Sequence, residues 1–189
     1  MDKAERKYLA HYLDANPLGE SPVTNATNYI RLGKDLEEYN EALNPDVTTT
    51  KNILGENNVT HNGFDVSSDV DPFYVYLDSS GNPDDLAEKI AYIANNRMTN
   101  TGCKTTKVDV LVNASGTVLW AYREEVLVVP NSVGGNTSGV QIPFTLHNCG
   151  ERVSGTWDAS TKTFTPASSS NSSSSSNSGG SSSSGTGTG

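Results

Sequence analysis

The side chains with the chemistry to act are few. They are three histidines (His11, His61, His147), two cysteines (Cys103, Cys149) and the close acids Asp69 and Asp71. A metal centre or nucleophilic triad requires such groups to converge, and short-range spacing is the signal a sequence offers for it. The histidines lie in unrelated segments, and no HExxH, GxSxG, GxGxxG or Walker-type loop occurs. The cysteines are far apart, with no CxxC spacing, and are expected to be unpaired thiols in a reducing compartment. Asp69 and Asp71 could form an acid–base pair or hold a cation, but a polar turn before Pro72 accounts for the same residues. Asp78-Ser79-Ser80-Gly81-Asn82 has a calcium-loop flavour. However, its glycine is misplaced and its twelfth position is Lys89, so helix capping explains it better. Gly134-Gly135-Asn136 is followed by neither a helix nor a lysine, so it is a flexible loop and not a phosphate cradle. The expectation is a non-enzyme without catalytic, cofactor or metal residues.

The bulk charge narrows the partners. The chain carries 22 acidic and 13 basic residues, a formal charge of −9. A protein that grips nucleic acid needs lysine and arginine on the phosphates, and this balance argues against one. It is compatible with a surface that lets DNA pass. Met1 to Asp14 is charged and lacks an apolar stretch, so no export signal is expected, and no run reaches membrane-spanning length. Synthesis in the cytoplasm follows as an expectation. Ser168 to Gly189 contains only Ser, Asn, Gly and Thr. With no apolar surface to bury, it is expected to be a disordered coil with a reach of roughly 25 Å.

The remaining residues divide into a Met1–Asn28 arm and a Tyr29–Ala167 domain. In the arm, Tyr8, Leu9, Tyr12 and Leu13 fall at helical spacing, which predicts a short helix over Asp2–Ala15 ended by Pro17 and Gly19. Pro22 to Asn28 reads as extended. Tyr29 to Gly33 is a first strand. Lys34 to Asn44 has no clean period, and a loop or a helical turn both fit. Asp46–Leu54 is Thr-rich with Val and Ile, which favours a strand. Gly55–Asn58 is a turn and Val59–Val66 is extended, giving a long polar hairpin. Phe73–Leu77 reads as an apolar strand. A helix over about 83–97 follows, with Asn82 as N-cap and Pro83, Asp84 and Asp85 in its first turn. Its apolar face is Leu86, Ile90, Ile93 and Ala94, continuing to Arg97.

Beyond Gly102 the pattern is all strand. Val108, Val110 and Val112 alternate with Lys107, Asp109 and Leu111. Asn113–Gly116 turns the chain into a long strand, Thr117–Val129, with Val118, Trp120 and Tyr122 on one face. Glu124-Glu125 interrupts that strand and marks a bulge or a change of face. Val133–Gly139 reads as a Gly-rich loop. Val140, Ile142, Phe144 and Leu146 alternate around Pro143, which puts that strand at an edge or bulge. Arg152–Trp157 and Lys162–Thr165 form a last hairpin. Strands, one helix, then strands predict a mainly β fold: an antiparallel sandwich or distorted barrel flanked by one helix.

Four segments carry a family likeness: Tyr29-Ile30-Arg31-Leu32-Gly33, Asn52-Ile53-Leu54-Gly55, Phe64-Asp65-Val66 and Asp69-Val70-Asp71-Pro72-Phe73-Tyr74. In order and wording they resemble successive segments of siphophage and prophage tail tube proteins. The likeness covers about Thr24 to Pro166 and is distributed, with no single diagnostic motif. It implies a fold shared with contractile-tail and type VI secretion tubes. It also implies a virion protein that forms hexameric rings, stacked into a tube through which double-stranded DNA leaves. Its partners would be further copies of itself and the tape measure, terminator and distal tail proteins. Some tail tube proteins carry an extra immunoglobulin-like domain after the tube domain, where this chain has only its Ser-rich segment.

Under that resemblance, the candidate joint between subunits is the hairpin segment Glu56, Asn57, Asn58, Val59, Thr60, His61 and Asn62, because strand-edge pairing joins subunits without a large apolar patch. The alternatives are a terminator or connector, which closes as a single ring, and a surface binding module carrying a Ser-rich stalk.

Overall fold

The computed structural model describes residues 3–16 and 28–167. The expected Ser-rich coil and the Pro17–Thr27 part of the arm lie outside the described residues. The fold is mainly β, as expected: the described residues form a large antiparallel sheet of eight strands and a single α-helix.

The largest correction concerns the N-terminal segment. After a 3-10 turn at Arg6–Tyr8, Leu9–Asp14 is a strand, β1, and not a helix. It pairs on one side with β2 (Tyr29–Arg31) and on the other with β6 (Lys104–Val112). The residues at helical spacing serve a period of two equally well: His11 and Leu13 face one side of the sheet, Tyr12 the other. Pairing on both edges decided the matter, because a helix cannot be hydrogen-bonded between two strands.

The sheet runs β12 (Thr163–Pro166), β11 (Val153–Asp158), β7 (Val118–Pro130), β6, β1, β2, and β10 (Phe144–Asn148) branches from β7 and carries β5 (Ser67–Val70) on its far side. Strand β7 is long enough to serve two neighbours. Its first half pairs with β11 and its second with β10, which in turn pairs with β5. Glu124-Glu125 falls at this hand-over. Of the two expectations the change of face is there and the bulge is not: Ala121 packs into one core and Val126 and Val128 into the other, and the register with β6 slips between Leu111 and Val112 instead. The backbone N–H groups of Cys149 and Gly150 both donate to the Glu125 carbonyl, filling the gap between the two neighbours.

The sheet is strongly curled. Trp157 on β11 meets Tyr12 on β1 with ring centroids 4.6 Å apart, and Tyr29 on β2 at 5.5 Å. In a flat sheet, three strand spacings would separate β11 from β1 by about 14 Å. The β11–β12 hairpin therefore folds over the concave face. There Tyr29, Val108, Val110, Ala121, Trp157 and Phe164 form one core. A Cβ at Gly155 would lie 2.3 Å from the Thr165 carbonyl and 2.4 Å from the Phe164 ring, so this fold-over admits only glycine there.

The opposite face carries the larger core, built from Leu13, Val70, Val126, Val128, Phe144 and Leu146 beneath the helix. Helix α1 spans Asp85–Asn95, shorter than the 83–97 expected. Its N-cap is Asp84, whose Oδ1 accepts from the Ala87 N–H at 2.8 Å; Asn82 and Pro83 precede the helix. Of the expected face, Leu86, Ile90 and Ile93 are buried and Ala94 packs against the same core, while Arg97 is exposed with φ 50°. Lys89 joins this face. Burial pulls its pKa down, an effect partly offset by Asp14.

Two further expectations are corrected. Phe73–Leu77 is not a strand. It makes only single bridges, Tyr74 with Gln141 and Leu77 with Pro83, while Phe73 and Val75 pack against the core. The Gly-rich segment is a small hairpin, β8 (Gly134–Asn136) with β9 (Gly139–Gln141), in which Gly135 approaches the Gly139 carbonyl too closely for a Cβ. Pro143 then separates β9 from β10, as a residue without an N–H should.

Candidate functional site

One element stands apart from both cores. Strands β3 (Pro45–Lys51) and β4 (Asn57–Phe64) pair with each other and with no other strand of the described residues. At about 3.4 Å per residue the ribbon projects roughly 27 Å. It is tethered at its base by the Asp65 N–H to the Asn44 carbonyl and by the Ala42–Ser67 bridge. Every residue of β3 and all but Gly63 of β4 are exposed.

The turn is built locally by Asn52. Its side-chain oxygen accepts from the Leu54 and Glu56 N–H groups, both at 3.0 Å, and its amide donates to Glu56 Oε2 at 2.7 Å. Gly55 supplies the required left-handed conformation, φ 82°. The tip is therefore Asn52–Glu56, earlier than the predicted Gly55–Asn58, and Asn57 and Asn58 are strand residues opposite Lys51 and Thr50.

This shift of tip changes which residues the site contains. The predicted joint residues Glu56 to Asn62 occupy the last tip position and most of β4. Ile53 and Leu54, absent from that set, form the tip itself, the first fully exposed and the second 77 % exposed. An apolar pair inside an otherwise polar hairpin was the available signal. Along the ribbon one face carries Val47, Val59 and His61, and the other carries Thr48, Thr50, Asn58 and Thr60. Near the base, Asn62 donates to Asp46 Oδ2 and Thr48 Oγ1 beside the bulge between Asp46 and Val47. Among the described residues no other strand pairs with either outer edge, and this is the geometry on which another chain can pair.

The predicted chemistry-bearing residues are dispersed. Asp69 Oδ1 accepts from Thr145 Oγ1 at 2.7 Å on the exposed side of β5. Asp78 caps its own turn through the Ser80 and Asn82 N–H groups, which hold its carboxyl below the usual range. Cys103 and Cys149 are both free, the first buried and the second exposed. Among the described residues no three His, Cys, Asp or Glu side chains gather to hold a metal.

What sequence reading missed is ionic and buried. Lys107 and Asp109 alternate with valines on β6, a pattern that suggests an exposed face, yet both are buried because the sheet is covered on both sides. Lys107 pairs with Glu41 and lies 3.4 Å from Asp109 Oδ2; the other Asp109 oxygen receives His11 Nδ1 at 2.6 Å. Burial pushes the Asp109 carboxyl up, but the His11 hydrogen bond and the Lys107 charge outweigh it, and the net shift is downward.

Compared with protein-family models and with curated proteins, the chain matches none. No helix among the described residues is long and apolar enough to cross a membrane.

Proposed function

We propose that this chain is the self-assembling subunit of a viral tail tube, whose copies form hexameric rings that stack into a conduit for double-stranded DNA. The observation that carries the reading is the free-standing β3–β4 ribbon. A two-stranded hairpin is marginal in water, and this one presents exposed apolar residues at its tip and two unpaired edges along its length. Such an element is completed by pairing with a second copy, and a contact of this heterologous kind propagates along an axis. The acidic surplus supports the same reading, since a conduit that bound phosphate would hold its cargo. The resemblance of residues 24–166 to tail tube proteins supplies the ring and its neighbours: tape measure, terminator and distal tail proteins. The protein would then reside in the virion tail.

Negative-stain microscopy of concentrated full-length protein tests this. Stacked rings or tubes of uniform diameter are expected. Single rings that never stack would place the chain among terminators or connectors, and a monomer at every concentration and salt would end the proposal. Deletion of Glu56–Asn62 should leave a folded monomer that forms no tubes.

A further inference from the structure

A groove of about 850 Å³ lies beside the C-terminal end of α1, between residues 97–103 and the end of β7. Its apolar lining is Ile93, Met98, Leu127, Val129, Pro130 and Val133. Val129 and Val133 are 41 % and 56 % exposed, so part of this apolar surface meets water. Strand β6 starts at Lys104, opposite Leu127, and among the described residues β7 has no strand neighbour on that side beyond this pair. The groove therefore joins apolar surface to an open strand edge, a combination on which an extended segment of another chain can pair. Arg97 also lines it. Its side chain is exposed, and no hydrogen bond or ion pair to its guanidinium forms among the described residues.

The tip of the β3–β4 ribbon carries the complement of each feature. Ile53 is fully exposed and Leu54 is 77 % exposed, so within one copy the tip covers no apolar surface, its own groove included. Glu56 Oε2 accepts from the Asn52 amide at 2.7 Å, which leaves Oε1 for another donor. The strands leading to the tip pair with each other and with no third strand of the described residues. Apolar pair meets apolar lining, free edge meets free edge, and a carboxylate meets an arginine. Ser168–Gly189, by contrast, has no apolar side chain to offer the groove.

We propose that the groove beside α1 receives the ribbon tip of a second copy of this chain. Ile53 and Leu54 cover Met98, Val129 and Val133, and Glu56 pairs with Arg97. The inference rests on the reading of the ribbon as the joint between copies, and it names the surface at the other side of that joint. Tip and groove are different parts of the chain, so the contact is head-to-tail. Each copy in a row keeps one free tip or groove for the next.

The chain has two methionines, Met1 and Met98, so a labelled methionine methyl group reports on the groove with one internal reference. Labelled full-length protein carrying Ile53→Asp and Leu54→Asp keeps its groove and loses its tip. Unlabelled protein carrying Val129→Asp and Val133→Asp keeps its tip and loses its groove, and both valines are exposed enough for the fold to tolerate the change. Neither chain propagates this joint alone, so NMR of the mixture reads a single contact. The expected result is a saturable shift of the Met98 methyl resonance with Met1 unmoved. The shift should vanish when the added chain also carries Ile53→Asp and Leu54→Asp. Arg97→Glu in the labelled chain should weaken binding about tenfold, and Glu56→Arg in the added chain should restore it. No Met98 shift at about 1 mM added chain, or failure of Glu56→Arg to restore binding, would overturn the proposal. A shift that persists without the tip would give the groove to another part of the chain and would overturn it as well. Tubes from the parent without a Met98 shift would leave the tail tube reading standing and end this inference. A tip-dependent Met98 shift in a chain that never forms tubes would do the reverse.

Discussion

Lys89 on the helix donates to the backbone carbonyl of Asp14 at the end of β1, 2.7 Å away and 75 residues earlier in the chain. It also donates to Thr105 Oγ1 at 2.7 Å, and that hydroxyl bonds the same carbonyl at 3.0 Å. Three elements, β1, β6 and α1, are thereby tied at one buried point. Lys89→Ala removes the donor and leaves a hole, so it should destabilise the fold by about 2 kcal/mol in urea unfolding near neutral pH. Lys89→Met fills the space and removes the buried charge, and should cost less than half as much. The pH dependence has a definite sign. The folded-state pKa of Lys89 lies below the ordinary lysine value, so the unfolded chain holds the proton longer. Stability at this site rises as pH climbs from the folded pKa toward the ordinary lysine range. The Met variant should lose that rise.

Asp109 gives a pH slope of the same sign, in the acid range. Its carboxyl titrates below the usual range when folded, so on acidification the unfolded chain takes up the proton first. Its contribution is complete above about pH 4 and is lost as pH falls through the folded pKa. Asp109→Asn should be less stable near neutral pH by about 3 kcal/mol, because Lys107 and His11 lose their shared acceptor. Its acid limb, followed by circular dichroism, should be flatter than that of the parent.

The helix start separates two neighbouring residues. Asp84→Ala should cost about 1 kcal/mol, since the Ala87 N–H loses its acceptor. Asn82→Ala should stay within about 0.5 kcal/mol, because the Asn82 bonds that close its turn run through its backbone. Equal losses in thermal unfolding would contradict the Asp84 cap.

At the ribbon tip, Ile53→Asp combined with Leu54→Asp should leave monomer stability within about 0.5 kcal/mol, because both side chains are already in water. Tube formation scored by microscopy should be abolished. Normal tubes from this variant would remove the tip from the joint.

Much of the architecture is a property of local patterns, which the sequence by itself determined. The alternation in β6, β7 and β10, the Asn113–Gly116 turn, the final hairpin and the Leu86–Ile90–Ile93 stripe follow from periods of 2 and 3.6 that need no distant partner. The polar Thr-rich ribbon is legible for the same reason. Tertiary structure decided the features that depend on what covers what. The Leu9–Asp14 spacing suits a helix or a strand, and pairing on both sides selected the strand. Phe73–Leu77 has strand composition but finds no neighbouring edge. The ribbon's tip was set by the Asn52 side chain, which competes with any turn two residues later. His11 and Asp109 stand 98 residues apart, and only the pairing of β1 with β6 brings them to 2.6 Å. Lys107 and Asp109 look solvent-facing in an alternating strand. Coverage of the sheet on both faces buries them, and a buried charge must then find the partners seen here.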